Sequence, residues 1–132
     1  MTLDESTMIL AVITAAFPNA YKNLSEEEAK AVVMVWAVQF KEIPADIVFM
    51  AVQKAIASNK FAPTIAEVKD KVRALHWEAY EAIRANNSLG MEAENAAEYK
   101  RIYELTEHAR YKSAEPSIRD MVSASQRYLL SE

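Results

Sequence analysis

Apolar residues recur every three or four positions through most of this chain, which predicts a succession of amphipathic helices. Met8, Ile9, Val12, Ile13 and Ala16 make one stripe, so a first helix is expected from about Asp4 to Ala16, stopped by Pro18. Asn19 to Leu24 reads as a short loop around Tyr21. Ser25-Glu26-Glu27-Glu28 is a helix start: Ser25 caps, Glu28 can reach back, and the acids face the positive end of the dipole. That helix runs to about Lys41. Its apolar residues Ala29, Val32, Val33, Trp36, Val38 and Phe40 cover most sides, so it is expected to be central. Pro44 opens a third helix over Ala45 to Ser58, with Ile47, Val48, Val52, Ala55 and Ile56 inward and Phe49 and Met50 widening that face.

Between the third and fourth helices lies Asn59-Lys60-Phe61-Ala62-Pro63-Thr64-Ile65-Ala66-Glu67-Val68. Asn59 is placed to end one helix. Pro63 cannot continue it and pushes Ala62 towards an extended conformation. Thr64 and Glu67 have capping-box spacing, and Phe61 is expected to fill the gap between the two helices. The fourth helix carries Ile65, Val68, Val72, Leu75, Ala79 and Ala82 or Ile83 and meets no breaker until Asn86-Asn87-Ser88-Leu89-Gly90. At about 24 residues, roughly 36 Å, it is longer than a small bundle needs. Its second half is expected to project, or to pair with something outside the first four helices. A fifth helix is sparser, from about Met91 to Lys112, with Ala96, Tyr99, Ile102, Tyr103 and Thr106. After Ser113-Ala114-Glu115-Pro116 a sixth helix carries Ile118, Met121, Val122, Ser125, Tyr128 and Leu129 on one face. The pattern predicts an all-α protein: a compact N-terminal bundle of four helices over residues 1–75, then a helical C-terminal arm over 76–132 for partner interaction.

Composition sharpens this. The 132 residues are 52% apolar, enough for a core, and Gly90 is the single glycine. A phosphate-binding loop or a dinucleotide fingerprint needs at least two glycines, so an ordinary ATPase is excluded and no nucleotide cofactor is expected. Without cysteine there is no disulfide, thiolate nucleophile or zinc–thiolate site. Asp4 and Glu5 stand where a signal peptide would be positive, and no apolar run approaches membrane-spanning length. A cytoplasmic protein is expected. The net charge of −4, with Lys69, Lys71 and Arg73 set around Asp70, disfavours tight nucleic-acid binding and favours a protein partner.

Candidate chemistry is sparse. His76 and His108 are the only histidines. Glu104 and His108 share a helix face, but a metal site needs three or four converging ligands, so a surface pair is expected and no metal. No serine lies in a glycine-flanked elbow, and Glu26-Glu27-Glu28 is explained by the helix start. Trp36, Phe40, Phe49 and Phe61 read as core. Tyr80, Tyr99, Tyr103, Tyr111 and Tyr128 lie in the polar half, where tyrosine either packs within the arm or forms a partner surface. The last helix either lies in a partner's groove or folds back on the fourth and fifth; its amphipathic face favours the partner.

Residues 8–75 resemble the small phage proteins that load and inhibit the replicative helicase. The matching pattern is Ile9, Ile13, Phe17-Pro18 and Tyr21, then Val35-Trp36, Phe40 and Pro44 to Val48, then the Asn59 to Val68 segment. The resemblance implies an all-α adaptor without enzymatic activity. Such an adaptor binds the hexameric, ATP-bound DnaB-type helicase, restrains its ATPase and unwinding, and delivers it to the origin-bound replisome organiser. In the family the C-terminal end makes the helicase contact. By position and amphipathic pattern that role falls here to Ile118, Met121, Val122, Tyr128 and Leu129. The host-cell cytoplasm would be its location, with homo-oligomerisation through the arm a further expectation. Two other classes stay open on the residues alone: a DNA-binding replication or regulatory protein, and a small structural or assembly phage protein acting through helical self-association.

Overall fold

The computed structural model describes residues 1–89 and 93–112, with side-chain surroundings for 1–85 and 95–109. Five helices follow in order: α1 (Leu3–Ala16), α2 (Glu26–Gln39), α3 (Ala45–Ser58), α4 (Ile65–Leu89) and α5 (Ala93–Lys112). No strand occurs among the described residues. The sixth helix expected over 116–132 lies outside them. α1 packs on α2 and α3, α3 on α4, and α4 on α5.

Helix starts follow local chemistry. α1 opens with a reciprocal box: Glu5 N–H donates to Thr2 Oγ1 at 3.1 Å and Thr2 N–H to Glu5 Oε1 at 2.8 Å. At α2 the Ser25 hydroxyl oxygen accepts from Glu28 N–H at 3.1 Å, a cap whose loss costs on the order of 1 kcal/mol. The box predicted at α4 forms, with Glu67 N–H donating to Thr64 Oγ1 and Thr64 N–H to Glu67 Oε1, both at 3.2 Å. Asn59 ends α3 in an extended conformation, and its amide donates to Glu67 Oε2 at 2.7 Å. One side chain therefore joins the end of α3 to the start of α4.

These boxes make the helix starts acid-sensitive. Backbone N–H donation from Thr2 and Thr64 is the largest cause holding the Glu5 and Glu67 carboxyls below their ordinary value of 4.5. A lowered folded value gives stability that is present above the ordinary value and lost as pH falls through the lowered one. Urea midpoints should therefore drop as pH falls below about 4.5. Glu67→Gln keeps an uncharged box and should show a smaller drop.

The core departs from the expected stripes in several places, and Phe49, expected in the core, is 37% exposed on α3. On α1, Ser6, Ile9, Leu10 and Ile13 are buried, whereas Met8 is 69% exposed. At about 100° per residue, Met8 points away from the Ile9–Ile13 face, and Leu10 lies nearer to it. Ser6 can enter the core because its hydroxyl donates to the Val33 carbonyl at 2.8 Å. α2 is less central than its composition suggests. It packs mainly on α1, so only Trp36 and Ala37 within it are buried, while Val32 and Val33 are half-buried. Phe61 does not fill the gap between α3 and α4: it is 76% exposed, and fully buried Pro63 with half-buried Ala62 takes that place. Phe61→Ser should accordingly change the unfolding free energy by no more than about 0.5 kcal/mol, as read by urea denaturation.

One core runs through all five helices. Ile9 and Ile13 of α1, Trp36 of α2, Ile47, Val48 and Val52 of α3, Val68, Leu75 and Ala79 of α4 and Ile102 of α5 form a single cluster. α4 pairs along α5. Arg101 of α5 meets Asp46 in the first turn of α3 at 2.6 Å, and His108 stands 3.9 Å from Glu42.

Candidate interaction surface

The tyrosine-bearing half of the chain places its aromatic rings along the seam between α4 and α5. Trp77 and Tyr80 sit three residues apart on α4 and so share a face. Their rings meet edge to face with centroids 5.8 Å apart. Tyr80 lies 6.1 Å from the Tyr103 ring of α5, and Tyr103 stacks on His76 at 4.9 Å and 21°. His76 also meets Trp77 edge to face at 5.0 Å. The strip thus runs from a histidine that is 4% exposed out to Trp77 and Tyr80, which are 49% and 39% exposed.

Its inner end is polar. His76 Nδ1 lies 2.8 Å from Thr106 Oγ1, and Nε2 lies 3.1 Å from Glu107 Oε2. Thr106 is itself 4% exposed and donates its hydroxyl proton back to the Ile102 carbonyl at 2.7 Å. Beside the strip, Lys54 of α3 pairs with Glu78 at 3.1 Å, and Arg73 pairs with Asp70 at 3.1 Å.

Trp77 and Tyr80 have the chemistry of partner anchors: large rings with little conformational freedom to lose and a polar tip each. Tyr99 and Tyr103 are half-buried against the core, so the helix pair takes up part of their area. The side chain of Tyr111 lies outside the described residues, as do Ile118, Met121, Val122, Tyr128 and Leu129. The expected Glu104–His108 pair is replaced by the approach of His108 to Glu42 across the chain. Among the described residues no group of three or more His, Cys, Asp or Glu could hold a metal, and no helix is long and apolar enough to cross a membrane.

Trp77 was legible as a signal that the stripe reading passes over. It is a large aromatic standing off the Val72–Leu75–Ala79 stripe, on the side that a soluble helix gives to polar residues. His76 could not be separated from a surface histidine without knowing that Thr106 and Glu107 face it.

The residues that carry the resemblance are mostly structural. Ile9, Ile13, Trp36, Phe40, Val48, Pro63 and Val68 are all buried. Trp36 and Phe40 pack at 5.7 Å. Tyr21 holds a left-handed backbone at φ 56°, a conformation that costs a non-glycine residue about 1 kcal/mol. Burial pushes its hydroxyl pKa up. The family described as the gp39P N-terminal domain matches residues 1–69, just over half of the chain. The chain belongs to this phage helicase-loader and inhibitor family. Comparison with curated proteins and with solved structures found no match. Membership of the loader family marks a phage helicase-associated protein. The match ends five residues into α4, before the aromatic strip begins.

Proposed function

We propose that this chain binds the hexameric, ATP-bound DnaB-type helicase of its phage, restrains ATP hydrolysis and unwinding, and delivers the helicase to the origin-bound replisome organiser. The observation that carries this reading is the loader-family match over residues 1–69. The chain's chemistry is consistent with it. One glycine leaves no room for a phosphate loop, so the protein has no ATP cycle of that kind with which to drive loading. It acts instead by binding one helicase state more tightly than another. A difference of a few kcal/mol moves such an equilibrium most of the way. Release then requires another component to compete for the contact.

Roles divide along α4. Residues 1–75 form the scaffold and residues 76–132 the partner-facing part, although α5 shares the scaffold's core through Ile102. Within the partner-facing part, Ile118, Met121, Val122, Tyr128 and Leu129 are proposed as the helicase contact. Trp77 and Tyr80 supply a second exposed apolar surface on the same side of the division. Adding the full chain to the phage helicase should slow ATP hydrolysis as the chain approaches saturation. An unchanged rate at saturating chain would remove the inhibitory role.

A further inference from the structure

α4 turns one face away from the core, and that face carries its charges in a set order. At about 100° per residue, Val68, Val72, Leu75 and Ala79 point inward and are buried. Asp70, Arg73, Ala74, Trp77, Glu81 and Arg84 fall within about 100° of arc on the opposite side, and all six are exposed. Trp77 stands at the middle of that arc, with exposed Tyr80 at its edge. The neighbouring helices flank this face. α5 meets α4 through His76 and Tyr80, and α3 reaches it through Lys54 on Glu78.

The order reads the same from both ends with its signs reversed. Four places before Trp77 is Arg73 and four places after it is Glu81; seven places before is Asp70 and seven after is Arg84. Three before is Ala74 and three after is Tyr80, a small residue set against a large ring. Such a face fits its own copy. In a two-fold pair of antiparallel helices centred on Trp77, each residue meets the one equally far beyond the centre. Arg73 then meets Glu81 of the second copy, Asp70 meets Arg84 of the second copy, Tyr80 covers Ala74, and the two Trp77 rings meet at the axis. Other arrangements set like charges together. A parallel two-fold pair places each residue on itself, arginine on arginine and acid on acid. An antiparallel pair centred midway between Trp77 and Tyr80 places Arg73 on Arg84.

We propose that the exposed face of α4 pairs with the same face of a second copy of this chain, antiparallel and centred on Trp77. The homo-oligomerisation expected of the arm thereby gains a face and a register. Trp77 supplies the central anchor, a large ring with little conformational freedom to lose. The contact between Asp70 and Arg73 within one chain, at 3.1 Å, joins Glu81 and Arg84 of the second copy in a four-charge network. Networks contribute where isolated exposed pairs do not. The face spans about 21 Å of helix, so the buried area is at the small end for protein pairs and the dimer is weak. The pairing stands independently of the helicase reading.

The test is sedimentation equilibrium of the full chain up to about 1 mM, where weak complexes are populated, alongside three charge variants and one anchor variant. The wild type should pass from monomer to dimer within that range. R73E and E81R each set two like-charge contacts in the interface and should raise the dissociation constant at least about fivefold. R73E/E81R has the wild-type net charge and restores both contacts with the signs exchanged, so its constant should return close to the wild-type value. Trp77→Ser should stay monomeric with its helical circular dichroism kept. A wild type that remains monomeric throughout, leaving the face to another protein or to the chain's own C-terminal segment, would overturn the proposal. So would a double variant no tighter than the single ones, or a Trp77→Ser protein that dimerises like the wild type.

Discussion

Replacing Phe40 with alanine should remove about 3–5 kcal/mol from the unfolding free energy, a large share of the 5–15 kcal/mol typical of a whole domain. Phe40 has no exposed surface, and its ring packs 5.7 Å from that of Trp36. Its position makes the loss larger than for an equally buried residue in mid-helix. Phe40 ends α2, with its N–H on the Trp36 carbonyl at 3.1 Å, while its own carbonyl accepts from Ile43 at 3.0 Å. The chain leaves α2 and enters α3 through this residue. The rest of α2 is half-buried or exposed apart from Trp36 and Ala37, so few neighbours can collapse into the cavity. Urea denaturation followed by circular dichroism reads the change. A loss below about 1 kcal/mol would be in the range of ordinary substitutions and would show that Phe40 does not fasten this junction.

Much of this architecture is visible in the residues before any coordinates. Pro18, Pro44 and Pro63 and the caps Ser25 and Thr64 carry their own local chemistry, so the helix bounds follow closely: α3 falls on Ala45–Ser58 as expected, and α4 runs unbroken to Leu89. The inward faces are harder to read. A stripe gives a direction around a helix but does not say how many neighbours stand there. That is why α2, apolar on most sides, was expected to be central and is instead packed mainly on α1. Phe61 shows the same limit, since the turn needed only Pro63 and Ala62 to close.

The aromatic strip is legible in part. Tyr80 and Tyr103 stand out as tyrosines in a polar region, but their meeting with Trp77 and His76 depends on the register of α5 against α4. No local pattern encodes that register. Thr106 and Glu107 reach His76 from 30 and 31 positions away, and only the folded seam brings them together.

Deleting residues 116–132 should abolish association with the phage helicase. Leu129→Asp should weaken it at least about tenfold, the equivalent of 1.4 kcal/mol. The reasoning is that an amphipathic segment binds through its apolar face, and a buried aspartate without a partner is costly. Both changes lie outside α1–α5, so urea midpoints should stay near those of the full chain. That control separates lost contact from lost fold. Retained binding by both variants would move the contact elsewhere, with Trp77 and Tyr80 the next surface to alter.

The most direct test of the central claim is co-purification of the full chain with the replicative helicase of its own phage, with and without ATP. The account predicts a stable complex that is markedly stronger with ATP. No association under either nucleotide condition would contradict it.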